Sequence, residues 1–370
     1  MRRKILIPYL MAGLGHFMLA RAVAHHLREM RPDWEVQLME TADELNDERM
    51  RHAFIDLWRA VLAMPRFLQH GLFALERLFP GAARALNRRT LRTAVPKAAE
   101  FLALDPPDLI LSAHWACSHL FSMARGDRTP PLYYVYGELD EAYSVAECGA
   151  DVYFVLSQKV GDDLARMGVP AAAIRHIPVV VDPAIVRNGT PRDVLRRGLG
   201  IPPENLVVVL SMGGEGVGRT LPFVEAFARE AGGATLIVLT GRNKELLDRI
   251  RRRVTGPSVI PLGFQEDLSG IVASADVLAG KAGTGFAMMA MATGIPLIVT
   301  HLGAPNEAGN MRHIVENGHG WYCPRPRMFL RRVAELAREH ARGEAGNAPR
   351  FPRQRNGAED IAAAVVEALE

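Results

Sequence analysis

Cysteine is scarce in this 370-residue chain, and the three present, Cys117, Cys148 and Cys323, lie far apart. They exclude a paired disulfide framework and a Cys-x-x-Cys metal site, and a reducing cytoplasm suits them best. Long apolar runs are lacking too. The longest uncharged stretch, Ala282 to Thr300, is interrupted by Gly294 and Pro296. It reads as helix, turn and buried strand, so no transmembrane segment is expected. The opening, Arg2-Arg3-Lys4 and an apolar stretch to Leu14, has the outline of a secretory leader. It runs, however, into Gly13-Leu14-Gly15-His16 and a helical pattern, which makes strand, turn and helix the better reading. No Gly-Lys-Ser/Thr triplet occurs anywhere, which excludes a P-loop.

What is present is the composition of a soluble globular protein, 49% hydrophobic and 23% charged, and its length predicts two domains of about 150 to 200 residues each. Lys4 to Leu10, Glu35 to Met39, Asp108 to Ser112, Pro131 to Tyr136 and Val152 to Leu156 read as strands. A helix from Phe17 to Met30 joins the first two into a βαβ unit. From Glu44 to Leu104 strand signals vanish, and apolar residues at helical spacing predict two or three inserted helices. The Pro- and Gly-containing stretch from Val181 to Asn205 reads as an interdomain connection. A second cycle follows, with strands at Leu206 to Ser211, Thr235 to Thr240, Ser258 to Pro261, Val277 to Ala279 and Pro296 to Val299.

The expected architecture is α/β, two Rossmann-like doubly wound domains facing across a cleft, with ligands at the carboxyl ends of the strands. The first domain is expected over 1–185, with the helical insertion at 44–104, and the second over 186–356. The last helix, within 357–370, follows a polar stretch from Gly343 to Gly357 and is expected to pack back on the first domain.

Three Gly-rich strand-to-helix turns stand out: Gly13-Leu14-Gly15-His16, Gly213-Gly214-Glu215-Gly216-Val217-Gly218 and Gly283-Thr284-Gly285. Glycine lets main chain approach a phosphate, and the N–H groups and partial positive charge of a helix start hold the anion. Each also reads as a plain tight turn. A dinucleotide fingerprint fails at the first, where Met18 stands in place of the third glycine, and the second also misses the spacing. Past the last strand, Gly303-Ala304-Pro305-Asn306-Glu307-Ala308-Gly309-Asn310 sets a carboxylate and an amide on one face of a starting helix, a pair suited to hydroxyl recognition. Asn306 or Asn310 equally reads as a helix cap.

The ordered run Gly263-Phe264-Gln265-Glu266-Asp267-Leu268, Ala275-Asp276, Lys281 to Gly285, Gly294-Ile295-Pro296, Asn306 to Asn310 and Val315-Glu316-Asn317-Gly318 resembles one group closely. It is similar to the monogalactosyldiacylglycerol synthases and processive diacylglycerol glucosyltransferases, in glycosyltransferase family 28 with the GT-B fold. The dense match covers Gly263 to Cys323; looser likenesses are Gly13 to His16, Ser112-Ala113-His114, Tyr136-Gly137-Glu138-Leu139 and Arg175 to Val181.

The resemblance implies an inverting transfer of a hexose from a UDP-sugar to a lipid hydroxyl, diacylglycerol for instance. It implies a base held by main chain near Phe264 and a diphosphate held at Gly213, Gly214, Gly283, Thr284 and Gly285. Glu307 and Asn310 would take the sugar hydroxyls, and neither a metal, an Asp-x-Asp motif nor a further cofactor is implied. Two positions depart from the pattern: Met289 stands where the group places a ribose-binding Glu, and Asp140 to Ser144 replaces a His-Pro-Thr-Trp segment. For the base that takes the acceptor's proton the candidates are His16, by its type, and Glu138, favoured by its position. His114 either orients one of these or ends a strand, and Lys281 either neutralises the leaving group or is an ordinary surface lysine.

Between Arg49 and Lys97 ten basic residues face two acidic ones, a local +8 in a chain of net +3. With the interleaved Leu, Phe and Trp this reads as a surface for an anionic membrane, or else as an ordinary amphipathic helical subdomain. The location expected is the cytoplasm, peripheral on the inner face of the cell membrane, with no nucleic acid and no obligatory protein partner. Two other functions stay open: a sugar-nucleotide epimerase or hydrolase on the same scaffold, and a degenerate member that binds nucleotide or lipid without turnover.

Overall fold

The computed structural model describes residues 2–127, 129–214, 216, 219–230, 232–254, 256–343 and 353–370. The chain divides into two units. The first comprises Met1–Asp182, Ala304–Asn306 and Asn356–Glu370; the second comprises Pro183–Gly303 and Glu307–Arg355.

In the first unit, β1 (Lys4–Tyr9), β2 (Glu35–Glu40), β3 (Leu109–Ser112), β4 (Leu132–Tyr136), β5 (Val152–Val155) and β6 (Ile174–His176) form one sheet in the order β2-β1-β3-β4-β5-β6. Every pairing is parallel. A parallel sheet is covered on both faces, so its strands are near-continuous apolar runs, as in the fully buried Leu-Tyr-Tyr-Val-Tyr of β4. Strand β6 lies outside the strands the sequence predicts, because three residues with two of them exposed carry no periodic signal.

The inserted segment is cut more finely than two or three helices. It runs through Glu48–Arg51, a π-helical turn His52–Asp56, Leu57–Ala63, Arg66–Leu78, Pro80–Leu91 and Val95–Leu104. Proline divides a periodicity that otherwise reads as continuous. Pro65 precedes one helix, and Pro80 and Pro96 sit in the first turns of the next two, where their missing N–H costs nothing. The final helix, Gly357–Leu369, packs against Leu14–Met30. Asn356 sets its start, accepting from Ala358 N at 3.1 Å and donating from Nδ2 to Val181 O at 2.8 Å.

In the second unit β7 (Leu206–Ser211), β8 (Ala234–Leu239), β9 (Val259–Leu262), β10 (Val277–Lys281), β11 (Leu297–His301) and β12 (Gly320–Tyr322) form another all-parallel sheet, ordered β12-β11-β10-β7-β8-β9. The α/β class and the two doubly wound parallel sheets are those the sequence predicts. Each sheet has a switch point where neighbouring strands send their chains to opposite sides, between β1 and β3 and between β7 and β10. Strand β12, three residues long, lies outside the strands the sequence predicts.

The stretch from Val181 to Asn205 is not mere connection. It forms helices Pro183–Arg187 and Arg192–Gly198, and from the second of these Arg192 and Arg196 both reach one largely buried carboxylate. Asp276 accepts from Arg192 at 2.9 Å, from Arg196 at 2.7 Å and from Val207 N at 2.8 Å, tying this segment to β7 and β10. Replacing Asp276 by Ala leaves the buried Arg196 charge uncompensated, and a loss of about 3 kcal/mol is expected. Urea unfolding should show a lowered midpoint at unchanged slope.

Candidate functional site

At the switch point of the second sheet the end of β10 runs against β7. A Cβ on Gly280, at φ +151°, would lie 1.9 Å from Ser211 O, so only glycine fits. The pairing of β10 with β11 shifts register immediately after it, which re-aims Lys281. Across from it the turn after β7 is shaped by Gly213 at φ +87°. That turn is fixed from its neighbours: Gly213 N donates to Ser211 Oγ at 3.2 Å, Arg242 N to Gly214 O at 2.8 Å and Asn243 Nδ2 to Gly216 O at 3.1 Å. Glu215, Val217 and Gly218 of the expected Gly-rich run lie outside the described residues.

Gly283 precedes the helix Thr284–Thr293, whose second residue is Gly285. A helix start carries partial positive charge, and here Phe286 N and Ala287 N both turn to Gly283 O at 3.0 Å. The following helix, Glu307–Glu316, supplies two buried polar side chains. Glu307 accepts from Lys281 Nζ at 2.9 Å and from Gly303 N at 2.6 Å. Asn310 donates from Nδ2 to Ala282 O at 3.0 Å and to Thr284 Oγ1 at 3.2 Å. Gly213, Gly283, Thr284, Glu307 and Asn310, with Gly214 and Gly285 beside them, thus belong to one connected arrangement. Lys281 stands inside it, paired with a buried carboxylate rather than loose on the surface.

Phe264, on the loop after β9, is 39% exposed and carries the Arg242 guanidinium 4.8 Å from its ring centre. Since Arg242 also bonds Gly214, this ring is linked to the Gly213 turn, a connection that no local sequence pattern announces. Met289 is buried within the Thr284 helix.

The switch point of the first sheet holds imidazoles. The Gly13-Leu14-Gly15-His16 turn follows β1, and Ser112-Ala113-His114 closes β3. His16 Nδ1 lies 2.8 Å from Ala113 O, and because a carbonyl only accepts, Nδ1 must carry the proton. His114 Nδ1 accepts from Ala116 N at 3.1 Å, capping the helix Trp115–Ala124, so its proton sits on Nε2 when neutral. The two rings meet edge to face at 4.4 Å. Burial drives the pKa of both below the ordinary 6.5, and the neighbouring His16 lowers His114 further. His16 Nε2, with no partner among the described residues, is left as an acceptor.

Glu138 follows β4 and takes a different partner, accepting from Asn306 Nδ2 at 2.9 Å within the same unit. The loop beyond it is anchored to the inserted helices. Ser144 N donates to Glu76 at 2.8 Å, Arg84 pairs with Glu147 at 3.1 Å, and Phe73 meets Tyr143 edge to face. Among the described residues no group of three or more potential metal ligands comes together, and no helix is long and apolar enough to cross a membrane.

No protein-family model matches the chain. By sequence it is similar to the chloroplast monogalactosyldiacylglycerol synthase of Spinacia oleracea, 30% identical over 190 residues, which cover 48% of this chain and 36% of that one. The chain thus spans about a third of the length of such relatives. By structure it is similar to HepE of Anabaena, solved with UDP and glucose (18% identity, all of this chain and 99% of that one, TM-score 0.57). It is similar also to the calicheamicin glycosyltransferase CalG4 (15%, 100% and 98%, TM-score 0.60). A third likeness is to the UDP-GlcNAc 2-epimerase of Neisseria meningitidis, solved with UDP-GlcNAc (11%, 99% of each, TM-score 0.58). At such identities these structures establish the fold alone, and that fold is GT-B. The sequence relatives are the monogalactosyldiacylglycerol synthases of glycosyltransferase family 28, the group that the run from Gly263 to Cys323 resembles.

With folded pKa values below 6.5, His16 and His114 stay neutral at pH 7, and the stability gained by keeping them neutral is lost as pH falls through those lowered values. Nitrogen NMR of labelled imidazoles should find His16 as the Nδ1–H tautomer, His114 as the Nε2–H tautomer, and both titrating below 6.5. A charged His114 at pH 7 would contradict the bond its Nδ1 accepts from Ala116 N, and a charged His16 would contradict the lowering by burial.

Proposed function

We propose that the chain is an inverting glycosyltransferase that moves a hexose from a UDP-sugar to a lipid hydroxyl, such as that of diacylglycerol, at a membrane surface. The observation that carries this reading is the second switch point, where Gly213, Gly283 and the Thr284 helix start surround a buried Glu307 and Asn310. Main-chain amides and a helix dipole suit a diphosphate, and a buried carboxylate beside an amide suits sugar hydroxyls. Support also comes from the galactolipid synthase relatives and from the UDP, glucose and UDP-GlcNAc held by proteins of this fold.

Displacement at the anomeric carbon requires removal of the acceptor's proton and stabilisation of a departing diphosphate. His16 fits the first task, since its Nδ1–H is held by Ala113 O and its Nε2 is an acceptor; the imidazolium formed would be oriented by that same carbonyl. Glu138, held by Asn306, is the second candidate for this base or for orienting the acceptor. The helix start at Thr284 serves the leaving group, whose charge grows as the bond to the sugar breaks. Attack on the face opposite the diphosphate inverts the anomeric configuration.

For the acceptor, the helix Arg66–Leu78 and its flank turn Phe67, Leu68, Leu72, Leu75, Leu78 and Phe79 to solvent, Phe67 at 73% and Leu78 at 70% exposure. Its opposite side is anchored through Phe73, Glu76 and Arg77 to the loop after Glu138. Apolar side chains facing outward in a segment of local charge +8 suit insertion into an anionic lipid surface. The working location is accordingly peripheral, on the cytoplasmic face of the cell membrane.

Radiolabelled UDP-galactose and UDP-glucose, incubated with diacylglycerol vesicles, should yield a glycolipid of inverted anomeric configuration. Failure with every common UDP-sugar sinks the reading. His16→Ala should lower kcat by about a hundredfold or more while UDP binding persists. The pair Phe67→Asp and Leu75→Glu should abolish sedimentation with anionic vesicles at undiminished UDP affinity.

A further inference from the structure

The Lys281–Glu307 pair lies in a slot walled by glycine main chain from three loops. A Cβ at Gly213 would come within 2.8 Å of Lys281 Cε, one at Gly283 within 3.1 Å of the same atom, and one at Gly303 within 3.2 Å of both Glu307 oxygens. These loops follow β7, β10 and β11, so the two charges sit at the switch point itself. Paired at 2.9 Å they offset each other, and the Gly303 amide is taken by a carboxylate as it would be by a bound anion. Glu307 is 6% exposed, and a carboxylate so buried cannot lose its ammonium partner without gaining other donors. The phosphates themselves bring no such donors, whereas the hydroxyls of a sugar attached to the terminal phosphate do.

We propose that Lys281 and Glu307 form a charge-exchange latch that selects a nucleoside diphosphate sugar over the bare diphosphate. This rests on the donor assignment above. On binding, Lys281 leaves Glu307 for the diphosphate, and Glu307 keeps the Gly303 amide while accepting from the sugar hydroxyls. The sugar completes the exchange; UDP alone leaves Glu307 without its cation. Lys281 is thus a positioning residue for the leaving group, and Glu307 the element that penalises a ligand without sugar.

Calorimetric titration of the full chain with UDP and with UDP-hexoses tests this, because the two charges are expected to act with opposite sign on UDP. Lys281→Met should weaken both ligands by about ten- to a hundredfold, the carboxylate now facing the diphosphate without compensation. Glu307→Gln should bind UDP several-fold more tightly than the native chain yet lose the preference for the sugar-bearing ligand, and Lys281→Arg should retain UDP binding. Thermal unfolding of each variant establishes that it is folded. If Lys281→Met does not fold, the sign of the Glu307→Gln effect on UDP decides alone. Weakened or unchanged UDP binding in Glu307→Gln overturns the latch while leaving the donor assignment standing. A native chain that binds neither UDP nor any UDP-hexose removes the donor assignment and the latch with it.

Discussion

Everything at the candidate donor site depends on how closely β10 is packed against β7. Two parallel strands that send their chains to opposite faces leave a gap beyond their carboxyl ends, and a ligand can enter it only if main chain forms its walls. Here the approach is so close that Gly280 admits no side chain against Ser211 O. The shifted register that follows turns Lys281 into the gap, where Glu307 meets it from the next helix. Asn310 then joins that helix to the start of the Thr284 helix. A side chain at Gly280 would separate the strands and scatter the whole arrangement.

The first sheet uses the same topological device with different chemistry. At its switch point the side chains are imidazoles, and burial keeps them neutral, which suits proton removal rather than anion binding. Tautomers are set by local main chain, Ala113 O on one ring and Ala116 N on the other. Nearby, the loop after β4 is fastened to helices whose apolar side chains face solvent. The residues proposed to meet the acceptor and those proposed to meet the membrane are therefore mechanically connected within one unit.

Much of this is legible in the sequence alone. Strands covered on both faces announce themselves as apolar runs, and Gly-rich turns mark where strand gives way to helix. The run from Gly263 to Cys323 is specific because Gly-rich turns constrain residue type at fixed short spacing. The number of inserted helices was not legible, because Pro65, Pro80 and Pro96 break a periodicity whose apolar content stays high. Nor was the helix Arg192–Gly198, which is tied down by a carboxylate some eighty residues away, Asp276. The short strands β6 and β12 exist only because a sheet edge was available to receive them.

What the amino-acid sequence determined by itself was the α/β class, the two cycles of strands, and the positions where main chain could come close to a ligand. Those follow from local rules of burial, turn geometry and helix starts. Only the tertiary structure decided what each polar side chain does, because partners such as Lys281 with Glu307, His16 with His114 or Asn306 with Glu138 lie 26 to 168 residues apart. Whether a lysine is a loose surface charge or the partner of a buried carboxylate depends on which strands are neighbours, and strand order is written in no local stretch of chain.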